Sequence, residues 1–343
     1  MLLFTNVKKY DILGRNNIEK LDLKDRKILY QIDLNCRQSN TQIGKKVGLS
    51  KQVVDYRIKR MEEKGIIIGY WTAINTYRLG YYVFRIYINF IDISSSIKEE
   101  IIKYFCDEKD VWAVITSKGP TDLDVIYWVN DIYKFNQRWD ETLQKYGFYF
   151  SDAVVSILTD VAGCKKSYLI IEDYEKDRIL YRTNCTGKPI KIEEIDYQIL
   201  DLIAIKGRIP IIDLAEKLNC SSQTIQYHLK HLIKVDIIQA FRVNINYLKL
   251  GFQNCAIDVF LKDHTKKKEI LDHILQNPYV YDIMSKNIGW SDLTFQLVVD
   301  NMDEVFQVMD NLEKKFPAAI RKMNYWMSQV VHKERWLPEM EFK

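Results

Sequence analysis

The chain has 343 residues, 47% of them hydrophobic and 28% charged, with 50 Lys/Arg against 46 Asp/Glu for a net charge of +4. That length admits two or more domains of about 100–200 residues, the composition is that of a soluble globular protein, and the charge is too mild to identify an anionic partner by itself. No apolar run approaches the roughly 20 residues needed to span a bilayer, so no membrane partner is expected. The N-terminus lacks a basic segment ahead of an apolar one, which argues against a signal peptide. Six scattered cysteines without a Cys-x-x-Cys pair argue against a structural zinc site or a disulfide framework and fit a reducing cytoplasm.

After an extension (1–20), residues 22–35 carry Leu23, Ile28, Leu29, Ile32 and Leu34 near helical spacing. Asn35-Cys36-Arg37-Gln38-Ser39 breaks that pattern as a polar turn. Ser39 or Asn40 can cap a second helix holding Ile43 and Val47, which Gly48 ends. Ser50 has the character of an N-cap for a third helix that buries Val53, Val54, Ile58 and Met61 and stops at Gly65. Three short helices in this order predict a helix-turn-helix over 21–80. The period then changes to strand (66–71). Next come a strand (82–90), a helix (97–107), two strands (111–117 and 123–129), a helix (132–146) and a strand (150–159). The order βαββαβ predicts a ferredoxin-like sandwich over 81–160. Residues 161–191 read as a charged linker with one strand at 168–171.

The second half repeats the first. Shifted by 171 positions, Asp25–Gly80 aligns without a gap on Asp196–Gly251, with 16 of 56 positions identical. A period of this length is a duplicated folding module rather than a solenoid unit of about 20–50 residues. The fold class expected is therefore α+β. It consists of two tandem modules, each a winged, three-helix helix-turn-helix domain followed by a βαββαβ sandwich. The second module runs over 192–251 and 252–343, with Pro210 near the start of its second helix.

The chain resembles the Lrp/AsnC family of feast/famine regulators. The likeness is carried by Leu21-Asp22-x-x-Asp25-x-x-Ile28-Leu29, Val47-Gly48-Leu49-Ser50, Arg57-Ile58-x-Arg60-Met61-Glu62-x-x-Gly65-Ile66-Ile67 and Leu79-Gly80. Copy two keeps Ile195-Asp196-x-x-Ile199-Leu200, Gly207-Arg208, Ser221, Ile237-Ile238 and Leu250-Gly251. The resemblance implies a transcription regulator that binds double-stranded DNA and carries effector-sensing sheet (RAM) domains. The family usually carries one module per chain and dimerises. A tandem chain could form a pseudo-dimer by itself, alone or within a homodimer or larger homo-oligomer.

On the third helix of copy one, Ser50, Lys51, Gln52, Asp55, Tyr56 and Lys59 are expected to face outward, flanked by Arg57 and Arg60. Gln and Asp can reach base edges, while Lys and Arg neutralise phosphates; the plain alternative is a solvated helix face. The equivalents in copy two are Ser222, Gln223, Gln226, Tyr227, His228, Lys230 and His231. Residues 21–65 hold eleven Lys/Arg and six Asp/Glu, whereas 192–236 hold five and seven. Copy one is therefore expected to grip DNA more strongly. Between the middle strands of each sandwich lies a matched turn, Gly119, Thr121 and Asp122 in one and Gly289, Ser291 and Asp292 in the other. The resemblance implies that these turns hold a small molecule such as an amino acid; an ordinary β-turn explains them equally well. Pro120 and Trp290 are unusual for that role.

His228 and His231 have metal-pair spacing, but no third ligand is near in sequence. No phosphate-binding glycine loop or nucleophile–base motif is present, so neither a metal nor a cofactor is expected. Two other functions compete. Siroheme decarboxylases share the two-part module and bind a tetrapyrrole with His and Arg side chains, yet this chain has no histidine before His228. An architectural DNA-binding protein would bind any duplex alike.

Overall fold

The computed structural model describes residues 10–11 and 18–340; most of the expected extension (1–20) lies outside them. After β1 (Tyr10–Asp11), the first helical unit contains α1 (Leu23–Leu34), α2 (Asn40–Val47) and α3 (Lys51–Glu63). Each start is capped by a side chain that satisfies an otherwise free amide: Asp22 for α1, Ser39 in a capping box with Gln42 for α2, and Ser50 for α3. Gly48 (φ 69°) and Gly65 (φ 66°) end α2 and α3 in the left-handed region. Copy two places Asn219 (φ 49°) and Asp236 (φ 67°) at the equivalent positions. These are among the few side chains that tolerate that conformation.

The chain continues through β2 (Ile67–Ile74), β3 (Tyr82–Phe90), α4 (Ser95–Asp107), β4 (Val111–Lys118), β5 (Leu123–Val129), α5 (Ile132–Tyr146) and β6 (Phe150–Cys164). The linker holds β7 (Ile179–Asn184). The expected strand at 168–171 is a correction: the backbone there turns as 3₁₀. Tyr168 and Leu169 are buried there as plugs under the helical units rather than as ladder residues. Copy two supplies α6 (Glu194–Ile205), α7 (Ile211–Lys217), α8 (Ser222–Lys234), β8 (Ile238–Ile245), β9 (Gln253–Leu261), α9 (Lys267–Ile274), β10 (Val280–Ile288), β11 (Leu293–Val299), α10 (Met302–Lys315) and β12 (Ile320–Glu334).

The two sandwiches do not stand apart. The strands run β12-β4-β5-β3-β6-β10-β11-β9, and β9 pairs again with β12, so eight strands close into a ring. Closure depends on two strands of 15 residues. Residues 150–158 of β6 pair with β3 of their own half, and residues 157–163 pair with β10 of the other. Strand β12 is likewise split between β9 and β4. Side chains alternate across each strand. Phe84, Ile86 and Ile88 pack outward with Ile101 and Phe105 of α4, which leaves Val83, Arg85 and Tyr87 on the inner face.

The helical units are joined by an antiparallel ribbon of β2 and β8. Their contacts are reciprocal. The Cys36 amide donates to the Phe241 carbonyl at 2.8 Å, and its repeat equivalent, Gly207, donates to the Tyr70 carbonyl at 3.0 Å. Asn75 donates to Ile237 at 2.8 Å, and Asn246 to Ile66 at 2.9 Å. Residue i meeting j while j meets i is the signature of a two-fold interface, here formed within one chain.

One tie breaks that symmetry. Asp33 of α1, fully buried, accepts from Arg242 of β8 at 3.0 and 2.5 Å and from Lys166 of the linker at 2.5 Å. Burial alone would raise its pKa, but Arg242 and Lys166 hold it below the ordinary aspartate value. Replacing Asp33 by Ala leaves two cations buried without their shared carboxylate, so the chain should lose about 3–5 kcal/mol of stability. Urea unfolding would measure it, and a loss under about 1 kcal/mol would contradict this role.

Candidate functional site

Helix α3 rests on its neighbours through Val54, Ile58 and Met61. Lys51, Gln52, Tyr56 and Lys59 are exposed on the other side. Ser50 at the tip spends its oxygen on the Val53 amide at 3.3 Å. Asp55 is half-buried, accepting from Asn40 at 3.1 Å and pairing with Lys59 at 3.1 Å. Arg57 and Arg60 differ from the expected flanking cations. Both turn inward to buried Asp25, at 2.8 and 2.6 Å, and Arg57 adds Asp22 at 2.7 Å. They clamp α3 onto the start of α1, and that engagement leaves them less free to meet phosphates.

Copy two repeats the clamp with different chemistry. His228 stands at the position of Arg57 and Asp196 at that of Asp25, with Nδ1 2.8 Å from the carboxylate. His228 is buried, so its expected place on the outward face is corrected: it belongs to the packing of α8 beside Ile225, Leu229 and Leu232. Gln223, Gln226, Tyr227 and Lys230 are exposed, and Ser222 is half-exposed. A signal for the clamp was available in the repeat, because Asp25 and Asp196 are identical among otherwise apolar helix matches. Among the described residues, no group of three or more His, Cys, Asp or Glu is placed to hold a metal.

The two matched turns are brought to the seams between the halves. A Cβ on Gly119 (φ +146°) would lie 2.5 Å from Cβ of Trp326 in β12, and one on Gly289 (φ +116°) would meet the Val155 carbonyl oxygen in β6. Their polar groups are already engaged. Asp122 accepts from the Phe90 amide at 3.0 Å, and Asp292 from that of Leu261 at 2.6 Å. Thr121 reaches Asp124 at 3.3 Å, and Ser291 reaches Thr294 at 2.9 Å. Trp290 stacks on Tyr87 with ring centroids 4.6 Å apart and donates to Asp258 at 2.8 Å. The side-chain oxygens of both turns are thus engaged within the turns and with the neighbouring strands.

Sequence reasoning missed a cavity of about 520 Å³ between the β2–β8 ribbon and the inner face of the ring. Its walls carry Trp71, Trp112, Trp128 and Trp336, together with Arg85, Lys166, Arg242 and Asp282. Arg85 is held by Asp124 at 3.0 Å. Burial, helped by the nearby Arg242, pushes the Lys166 pKa down to about 8. Burial pushes that of Asp282 up to about 7 against the pull of Arg242 and Lys166. These residues are spread along the chain from Trp71 to Trp336, most of them in strands that read as ordinary ladder segments and Lys166 in the linker, so no local pattern marks them.

The fold and the outward helix faces define a tandem winged helix-turn-helix protein. A model described as winged helix-turn-helix DNA-binding matches residues 21–68 and 192–239. An HTH-type transcriptional regulator of Methanocaldococcus jannaschii is 30% identical over 136 residues, covering 40% of this chain and 82% of that protein. The regulator LrpA of Pyrococcus horikoshii is 33% identical over 91 residues, covering 26% of this chain and 63% of LrpA. The chain belongs to the Lrp/AsnC family of HTH-type transcriptional regulators, in a duplicated form. The crystal structure of the siroheme decarboxylase NirDL shares the fold over 93% of this chain and 94% of its own, with a TM-score of 0.61 at 14% identity.

The raised pKa of Asp282 has a definite sign. The folded state keeps this proton to higher pH than the unfolded chain, where an aspartate titrates near about 3.9. Its contribution to stability is thus complete at low pH and is lost as pH rises through about 7. Asp282→Asn stays neutral, so its melting temperature should exceed that of the unmodified chain by several degrees at about pH 8, with the gap closing toward about pH 4. A gap that does not change with pH would contradict the assignment.

Proposed function

We propose that this chain regulates transcription by binding one DNA duplex as an intrachain pseudo-dimer, with α3 and α8 as paired reading helices. The reciprocal hydrogen bonds across the β2–β8 ribbon support this reading most directly, because they relate the two helical units by a pseudo-two-fold axis. In two-fold helix-turn-helix dimers, reading helices meet half-sites about one helical turn apart, roughly 34 Å, or a multiple of it. Lys51, Gln52, Tyr56 and Lys59 form the proposed contact face of copy one; Gln223, Gln226, Tyr227 and Lys230 form that of copy two. The faces differ, so the site need not be a palindrome. Copy one, with its surplus of basic residues, is the stronger grip.

A tetrapyrrole enzyme is the second reading, favoured by the full-length likeness in fold to NirDL. Against it, no histidine lines the cavity among the described residues, and an exposed Lys/Gln/Tyr face on α3 has no part in such chemistry. The regulator reading accounts for both modules and for the helix faces.

Anisotropy titrations of the full chain against a selected duplex and a scrambled one test the proposal. Replacing Lys51 and Lys59 by Ala should lower the slope of log affinity against log salt by about 2, and Lys230→Ala by about 1. Lys268→Ala, on an exposed face of α9, should leave it unchanged. Equal effects from Lys268 and the Lys51/Lys59 pair would refute the assigned faces, and equal affinity for both duplexes would favour an architectural role.

A further inference from the structure

We infer that the central cavity is an effector site for a flat aromatic carboxylate. Four observations converge on that ligand class. The first is size, since small-molecule pockets occupy about 300–1,000 Å³ and this cavity encloses about 520 Å³. The second is the wall. Trp71 stacks on Trp336 with centroids 4.4 Å apart, and Trp112 lies parallel to Trp128 at 5.8 Å. Two stacked indole pairs present broad ring faces and edges that favour another aromatic plane.

The third observation is unmet hydrogen-bonding capacity. Nε of Arg85, a residue only 2% exposed, has no partner, nor has the buried Nε1 of Trp112. Buried donors left open are rare in native proteins and call for an acceptor. Asp282 Oδ1 is likewise unpartnered, and while protonated this carboxyl is a donor too. The fourth is charge. Lys166 and Arg242 share a single carboxylate, Asp33, so that end of the cavity carries one surplus positive charge while Asp282 is neutral. Glu334 also lines the cavity but already has a partner. A carboxylate would supply both the acceptor oxygens and the missing negative charge.

The position suggests what binding does. Trp71 lies on β2 and Arg242 on β8. These strands begin at Ile67 and Ile238, a few residues after α3 ends at Glu63 and α8 at Lys234. A molecule held under the ribbon therefore touches the element that sets the spacing of the reading helices. This coupling rests on the regulator reading; the binding itself does not.

Pyrenebutyrate is a suitable probe, with aminomethylpyrene as its cationic counterpart, because tryptophan emission transfers to pyrene. Titration of the full chain should saturate at one pyrenebutyrate per chain and quench tryptophan emission. The amine should bind about tenfold or more weakly, a difference of about 1.4 kcal/mol. Lys166→Met leaves Asp33 its two bonds from Arg242 and should abolish the preference for the acid. Ala73→Phe from the ribbon, or Thr183→Trp from β7, fills the space and should lower affinity about tenfold or more. Unsaturable binding, equal affinity for the two probes, or filled variants that fold and bind like the unmodified chain would overturn the inference. Duplex binding is measured in the same samples with and without probe. Probe binding without any DNA binding would sink the regulator reading alone, whereas DNA binding with no probe binding would sink this inference alone.

Discussion

Asp33 sits where three parts of the molecule meet: the first helix of one DNA-binding unit, the linker, and the ribbon strand of the other unit. A carboxylate with no exposed surface would be costly to bury alone, yet here it receives both nitrogens of a guanidinium fork and an ammonium. The repeat partner of Asp33 is Ala204, and that of Arg242 is Trp71. The cluster therefore exists once. It seats the linker between two units that are also joined by the reciprocal backbone hydrogen bonds beside the ribbon, and it sets a guanidinium and an ammonium in the wall of the central cavity.

The same contrast of shared frame and divergent detail runs through the helical units. Each third helix is fastened to its first helix by an acid in the first turn, Asp25 or Asp196. Copy one uses two arginines, which satisfy both carboxylate oxygens, and copy two uses a single buried histidine. The turns also diverge: glycines in copy one become Asn219 and Asp236, which accept a left-handed backbone at a modest steric cost. Such exchanges preserve the helix-turn-helix while changing the charge it shows to a duplex.

The helical units and the order of strands were legible in the sequence because their signals are local. Ser39 and Ser50 announce helix starts, Gly48 and Gly65 announce ends, and strand β11 and helices α5 and α10 follow unambiguous periodicity. Three features were hidden. Strand β7 lies in a polar linker and forms only because β6 overruns its own sandwich and offers an edge at residues 160–164. The inward turn of Arg57, Arg60 and His228 depends on partners more than 30 positions away. Ring closure depends on pairing between β6 and β10 and between β12 and β4, which neither sandwich shows when read alone.

Covalent fusion of the two modules has a consequence for how such a protein can change. In a dimer of identical chains, every substitution appears on both sides of the axis, so a single buried charge at the centre would be doubled and face its own copy. Here a change enters once. An acid can stand in one half with alanine at the matching position of the other, and an arginine can pair with a tryptophan across the ribbon. The ring shared through β6 and β12 holds the halves in register at any concentration, since neither has to find a partner in solution. Lopsidedness, forbidden to a symmetric assembly, becomes heritable.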